Sequence, residues 1–241
     1  MDLSDLKTDE LQKMKWKALN TCGDMLFANA LVLFEGETEE QAFALFAQEY
    51  WQKNQNELGI NFIGVGGTGS YLPFLRLAKG FEIKWYVFSD AESDPLSKMS
   101  AALKKIGVTD YKTCSNVIVL PEGKKYEAYL VDEGYTDAIE SALNRYHDTE
   151  DYVSEFINLM NSKKMKGGKG EKRNYTSDPD GGRKRALLDI LAGNKTVYAE
   201  AIALEIVSLT KKDRRIPRKI KKLFEQIDKD MLNTNQGRKT L

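Results

Sequence analysis

Four short runs in this chain are apolar on both faces, at residues 30–34, 60–65, 83–88 and 116–120. A strand with one wet face alternates apolar and polar side chains, whereas a strand apolar throughout must be covered on both sides. Each run is followed by a turn, and most by a helical pattern long enough for a crossover. Antiparallel neighbours need only a hairpin, so this spacing predicts β-α-β-α-β-α-β with parallel strands. The expected class is α/β: a parallel sheet of about four strands flanked by helices, followed by a mostly helical C-terminal extension.

Local signals fill in the helices. Leu6, Leu11, Met14 and Leu19 recur at roughly helical spacing and predict an amphipathic helix over 3–20. Thr38 with Gln41 forms a capping-box pattern opening a helix over 38–54. Pro73 and Pro95 suit the first turns of the next two helices. Further helices are expected over 136–146, 151–162, 196–209 and 217–231. Residues 163–182, rich in Lys, Gly and Asp and holding Pro179, read as a mobile loop. The division expected is a linker helix over 1–27, a catalytic core over 28–148 and a helical extension over 149–241.

Composition excludes several classes. With 241 residues, 41% apolar and 30% charged, the chain is long and apolar enough to bury a core. No apolar run approaches the roughly 20 residues that span a bilayer. The acidic, polar start lacks a secretory pattern, so the expected location is the cytoplasm. Cys22 and Cys114 lie too far apart in sequence for a disulfide framework or a zinc motif. His147, in a polar stretch, reads as a surface residue rather than a base. Met25, Phe27, Trp51 and Trp85 read as core or interface. Residues 1–150 carry 15 Lys+Arg against 24 Asp+Glu, and residues 151–241 carry 21 against 12. The first part can gather cations and the second can meet phosphates.

In a parallel sheet, sites form at the carboxyl ends of the strands. Glu35 ends the first run and Glu39 lies four residues on, Asp90 and Glu92 end the third, and Glu127 follows the fourth. Carboxylates at three strand ends, with no Cys or His among them, suit a hard cation taking oxygen ligands, Mg²⁺ or Mn²⁺. The turn Gly64 to Gly69 lacks the Lys-Ser/Thr of a nucleotide-binding P-loop and reads as a tight turn feeding a helix.

These residues resemble a known family. Leu33-Phe34-Glu35-Gly36-Glu37-Thr38-Glu39 looks like the EGxxE motif of Toprim domains, and Phe88-Ser89-Asp90-Ala91-Glu92 sits where that fold has its DxD motif. Between them, Val65-Gly66-Gly67-Thr68-Gly69 is similar to the glycine-rich turn after the second strand of OLD-family nucleases, and Tyr126-Glu127-Ala128-Tyr129-Leu130 and Asn194-Lys195-Thr196-Val197-Tyr198-Ala199 are similar to later segments of the same proteins. Together they resemble, in order over residues 28–205, the Toprim nuclease domain of the OLD (overcoming lysogenization defect) family of ATP-dependent endonucleases.

The resemblance implies Glu35, Glu39, Asp90 and Glu127 as metal ligands. It also implies Lys195, supplied by the extension, as the cation beside the scissile phosphate. Glu92 stands where the family usually has aspartate and is the expected further ligand of a two-ion site. The activity implied is phosphodiester hydrolysis assisted by two Mg²⁺ or Mn²⁺ ions, with DNA as substrate and defence against phage as context. The backbone contacts expected are Lys166, Lys169, Lys172, Arg173, Arg183, Lys184 and Arg185, with the basic run 211–222 beyond them. The partners implied are DNA and an ABC-type ATPase domain or subunit outside these residues; a homo-oligomer stays open, and a membrane is excluded. Two alternatives stand beside this reading: a small Toprim ribonuclease maturing structured RNA, and a non-catalytic Toprim that binds nucleic acid or a partner.

Overall fold

Ala30–Phe34 (β1) is buried at every residue, and it lies inside a four-stranded parallel sheet of order β2-β1-β3-β4. This computed structural model describes residues 24–66, 71–121, 123–162 and 182–237, with Thr8, Gln12, Tyr175 and Asp178. After β1 come the helix Glu37–Trp51 (α1), the strand Ile60–Gly64 (β2) and the helix Tyr71–Gly80 (α2). The strand Lys84–Ser89 (β3), the helix Ser93–Lys105 (α3) and the strand Val117–Val119 (β4) follow. Then come the helices Tyr126–Asp132 (α4), Thr136–His147 (α5), Tyr152–Ser162 (α6), Arg183–Gly193 (α7), Lys195–Val207 (α8) and Arg218–Gly237 (α9). Thus the parallel α/β class and all four expected strands are present, each strand within a residue or two of its expected ends.

The two faces of the sheet carry separate cores. Val32 and Phe34 of β1, with Phe62, Tyr86, Phe88 and Ile118, pack on α1, α5, α8 and α9. Leu31 and Leu33, with Ile63, Val87 and Val117, pack on α2 and α3. Alternation along β1 thus feeds both cores, which is why its sequence shows no polar face.

The C-terminal helix is part of this core. Phe224 of α9 is fully buried; its ring centroid lies 6.3 Å from Phe43, 4.6 Å from Trp51 and 6.4 Å from Phe62. Three polar contacts pin the same helix: Trp51 Nε1 donates to Asp228 at 2.8 Å, Tyr86 Oη to Asp230 at 2.9 Å, and Lys84 Nζ to the Asp230 carbonyl at 2.7 Å.

Several local expectations are corrected. Helix α1 begins at Glu37 behind an extended Gly36, with no side-chain cap, so Thr38 lies in the first turn and is buried. Two helices lacked a sequence expectation: α4, only 7 residues long, and α7, inside a stretch dominated by its basic start. His147 is half-buried rather than on the surface: its ring stacks on Tyr152 at 3.6 Å, and Nε2 lies 2.9 Å from the Tyr198 hydroxyl. Met25 is core, but Phe27 is 86% exposed. The expected helix 3–20 lies outside the described residues apart from Thr8 and Gln12, both helical. Most of the expected loop 163–182 also lies outside them; within it, Tyr175 is fully buried and donates to Asp189 at 2.7 Å.

Candidate functional site

Three carboxylates from separate stretches of the chain are buried at the carboxyl end of the sheet. Glu39 is 8% exposed, Asp90 7% and Glu127 9%, beside a half-buried Glu35. Glu35 directly follows β1, Glu39 lies in the first turn of α1, Asp90 follows β3 and Glu127 lies in the first turn of α4. The strands β1 and β3 are neighbours, with Leu33 level with Val87, so their ends emerge side by side. The Ala91 amide donates to the Lys124 carbonyl at 2.9 Å, drawing the loop after β3 toward the start of α4. Asp90 is thereby drawn toward the helix that carries Glu127.

Two buried tyrosines bracket these acids, one from each face of the sheet. Tyr71, the first residue of α2, belongs to the core of Leu33 and Val87. Its phenol is pushed well above its ordinary value by burial, then by the charge of Glu35, with Glu39 and Asp90 adding to the shift and Ser89 opposing it. Tyr126 opens α4 on the other face, its ring 6.1 Å from Phe43. Phe43 lies one turn beyond Glu39, on the same face of α1. The Tyr126 phenol is likewise raised, by burial first and then by Glu39 and Glu127. Glu39 therefore acts on both phenols, one on each face of the sheet end. Neither tyrosine was legible as a site residue, because an aromatic with no motif of its own reads as packing.

Close backbone packing shapes the floor. A side chain on Gly64 would meet the Gly36 carbonyl oxygen at 2.8 Å, so the ends of β1 and β2 touch backbone to backbone. Glu40 Oε2 accepts the Gly64 amide at 2.9 Å, a contact with no sequence expectation. Gly66 adopts φ +82°, the left-handed region that suits glycine at the turn into α2. Gly64→Ala is expected to cost about 1–3 kcal/mol, because the obstructing atom is backbone and cannot swing away. Urea denaturation of the variant checks this; an unchanged midpoint would mean that the two strand ends are not in contact.

Glu92 lies apart from the buried acids. It sits at the N-cap of α3, 40% exposed, with Lys125 Nζ 3.2 Å from its carboxylate. Among the described residues, no three of His, Cys, Asp and Glu form a ligand group as they stand. Bringing like charges together is costly: two carboxylates at about 4 Å repel by roughly 4 kcal/mol at an effective dielectric of 20. The donor chemistry of Glu35, Glu39, Asp90 and Glu127, all oxygen and largely buried, nevertheless fits a hard divalent cation.

The remaining expected residues are placed as follows. Lys195 opens α8, which packs along α1. Arg183 donates Nε to Glu140 at 2.8 Å and Nη2 to Glu140 and Asp151 at 2.6 and 3.0 Å, tying α7 to α5 and α6. That guanidinium, with Ser154 helping, lowers the Asp151 carboxyl to about 2. Lys184 pairs with Asp132 at 2.6 Å, and the Arg185 guanidinium lies 5.7 Å over the Tyr175 ring. Lys166, Lys169, Lys172 and Arg173 lie outside the described residues. No helix among the described residues is long and apolar enough to cross a membrane.

Comparison with known proteins agrees with this geometry. Residues 26–91, which hold β1 to β3 with Glu35, Glu39 and Asp90, match the family model of the overcoming lysogenization defect protein-like TOPRIM domain. The C-terminal region of the Xanthomonas campestris pv. campestris OLD protein superposes with a TM-score of 0.64 at 19% identity, over 90% of this chain and 100% of that one. The C-terminal region of the Burkholderia pseudomallei OLD protein gives 0.57 at 20% identity, over 84% and 98%. No curated protein matches the sequence. Toprim domains in general bind divalent metal ions such as Mg²⁺, and this one points to metal-dependent processing of nucleic acid. Residues 26–91 thus match the OLD-like Toprim family model, within a chain whose fold is similar to that of the OLD C-terminal region.

Proposed function

We propose that the chain is a metal-dependent endonuclease that hydrolyses DNA phosphodiester bonds, the nuclease part of an OLD-type ATPase-nuclease system acting against phage. The observation that carries this reading is the burial of Glu39, Asp90 and Glu127, beside a half-buried Glu35, at the carboxyl end of a parallel sheet whose first three strands match a Toprim family model. These four residues would hold Mg²⁺ or Mn²⁺, because an all-oxygen donor set suits hard cations rather than softer ones. When bound, a pair of such ions activates water and stabilises the leaving oxygen of an in-line displacement. Glu92, engaged with Lys125, is the member of the expected set that must turn to take part in a second-ion site.

The protein's own residues set the remaining conditions. Glu35 and Asp90, on adjacent strand ends, face the reacting phosphate from a rigid sheet. Their negative charge repels a polyanion, so cationic groups must offset it. Lys195 is assigned to the charge that develops in the transition state, where a fixed cation contributes most. Lys166, Lys169 and Lys172, with Arg173, are assigned to the DNA backbone, where contacts give affinity without sequence preference. Arg183 contributes less to such binding, since Glu140 and Asp151 engage its donors; Lys184 and Arg185 flank it.

The partner assigned is an ABC-type ATPase domain or subunit, and the location assigned is the cytoplasm. Divalent-ion-dependent nicking of supercoiled plasmid tests the proposal. Cleavage of structured RNA alone would select a ribonuclease instead, and binding without cleavage a non-catalytic module.

A further inference from the structure

We infer that Glu40 is a positioning residue for the Glu35 and Glu39 pair: its carboxylate holds the last residue of β2 against Gly36, the backbone link between those two acids. The inference rests on the metal-site reading above and adds to it a residue that is not itself a ligand.

Gly36 is enclosed from two sides. It follows Glu35 directly and precedes α1, so the end of β1 passes through it into the helix that carries Glu39. Its backbone is extended, at φ −127° and ψ 178°, a conformation open to any residue, so glycine is not required there for its backbone freedom. What it supplies is room. On one side a Cβ at Gly36 would stand 3.2 Å from Glu39 Oε2, so the Glu39 carboxylate lies against the Gly36 backbone. On the other side lies β2: a Cβ at Gly64 would meet the Gly36 carbonyl oxygen and Glu40 Oε2, each at 2.8 Å. The end of β2, the Gly36 carbonyl and the Glu40 carboxylate thus converge at one point.

Glu40 supplies the bond that keeps them there. Strand β2 lies at the edge of the sheet, with Gly64 level with Phe34 of β1. The Val65 amide donates to the Phe34 carbonyl at 2.9 Å, and alternation along the strand turns the Gly64 amide the other way, to the open edge. No strand is there to accept it. Glu40 Oε2 does so at 2.9 Å, and a bond to an ionised acceptor is stronger than one between neutral groups. Because Glu40 follows Glu39 directly, the bond ties the very turn that aims Glu39 to β2. With the bond broken, β2 is free to move off Gly36, and both the seat of the Glu39 carboxylate and the exit of Glu35 from β1 loosen. Supports one step removed from the ligands govern metal affinity in this way.

Glu40→Ala and Glu40→Gln separate this role from its rivals. Gln keeps an oxygen acceptor for the Gly64 amide and loses the charge, whereas Ala loses both. Calorimetric Mn²⁺ binding is measured for wild type and both variants, beside urea unfolding and metal-free NMR hydrogen exchange of the Gly64 amide. Glu40→Ala is expected to raise the Mn²⁺ Kd about 10-fold, the low end for outer supports because it acts through the backbone. Glu40→Gln is expected to recover most of that loss. The Gly64 amide is expected to be protected in wild type and Glu40→Gln and to exchange freely in Glu40→Ala. An unchanged Mn²⁺ Kd in a folded Glu40→Ala protein overturns the positioning role and leaves the metal site standing. Glu40→Gln as damaging as Glu40→Ala overturns it too, because the charge rather than the acceptor would then matter. Wild-type protein that takes up no Mn²⁺ overturns the metal site and this inference together. Should Glu40→Ala not fold, the other two proteins decide: a Gly64 amide that exchanges freely in wild type, or a Glu40→Gln protein that loses Mn²⁺ affinity about 10-fold, overturns the inference.

Discussion

Lys195→Ala is expected to slow single-turnover cleavage about 10²–10³-fold while leaving Mn²⁺ affinity close to wild type. The two halves of that expectation come from different physics. An ammonium is not a metal ligand, so its loss removes none of the binding chemistry supplied by Glu35, Glu39, Asp90 and Glu127. A fixed cation beside the phosphate acts mainly on charge that appears in the transition state, so its loss falls on the chemical step. Glu35→Gln makes the converse case, because removing a ligand charge should weaken both Mn²⁺ binding and cleavage. Calorimetric titration beside single-turnover rates separates the two patterns. If Lys195→Ala cleaves at the wild-type rate, the assignment of the lysine is wrong. Lys211, which is exposed, would be tested next, before Lys184, which Asp132 holds.

Phe224→Ala is expected to destabilise the protein by about 3–5 kcal/mol, the usual cost of removing a fully buried aromatic ring. The reason is specific to α9. Its Phe224 fills the space among Phe43, Tyr50, Trp51 and Phe62, and no other ring can swing in without breaking the edge-to-face contacts of Phe43 with Phe34 and Phe88. Phe34 immediately precedes Glu35, and Phe88 lies two residues before Asp90. Loosening this core therefore reaches the strand ends that carry the site. Urea unfolding followed by tryptophan fluorescence reads the loss. A change below about 1 kcal/mol would mean that α9 is not docked on the sheet in solution.

The parallel sheet was legible because burial on both faces leaves a mark that no surface strand can imitate. Ala30 to Phe34 contains no polar residue, and β1 is flanked by strands on both sides. The acids were legible for a related reason: they stand where such strands end. What was hidden was hidden physically. Helix α4 spans 7 residues, too few for the helical period to repeat, and Lys125 caps it without a side-chain bond. Helix α7 opens on three basic residues, against the usual preference for acids in a first turn. Its Arg183 is satisfied by Glu140 and Asp151 from elsewhere in the chain, which no local pattern could display. Glu92 looked equivalent to Asp90 at two residues' distance, but the strand has already ended at Ser89, and Glu92 stands at the N-cap of α3 paired with Lys125. Tyr71 and Tyr126 gave no signal, since only the fold brings their phenols among the acids.

The central claim is that the acidic end of the sheet works through divalent cations to cut DNA. Supercoiled plasmid incubated with the protein in Mg²⁺, in Mn²⁺ and in excess EDTA tests it most directly, with Glu35→Gln run alongside. Nicked and linear products are expected with either ion, none with the chelator, and far fewer with Glu35→Gln. Cleavage undiminished by EDTA, or by the loss of the Glu35 charge, would contradict the account.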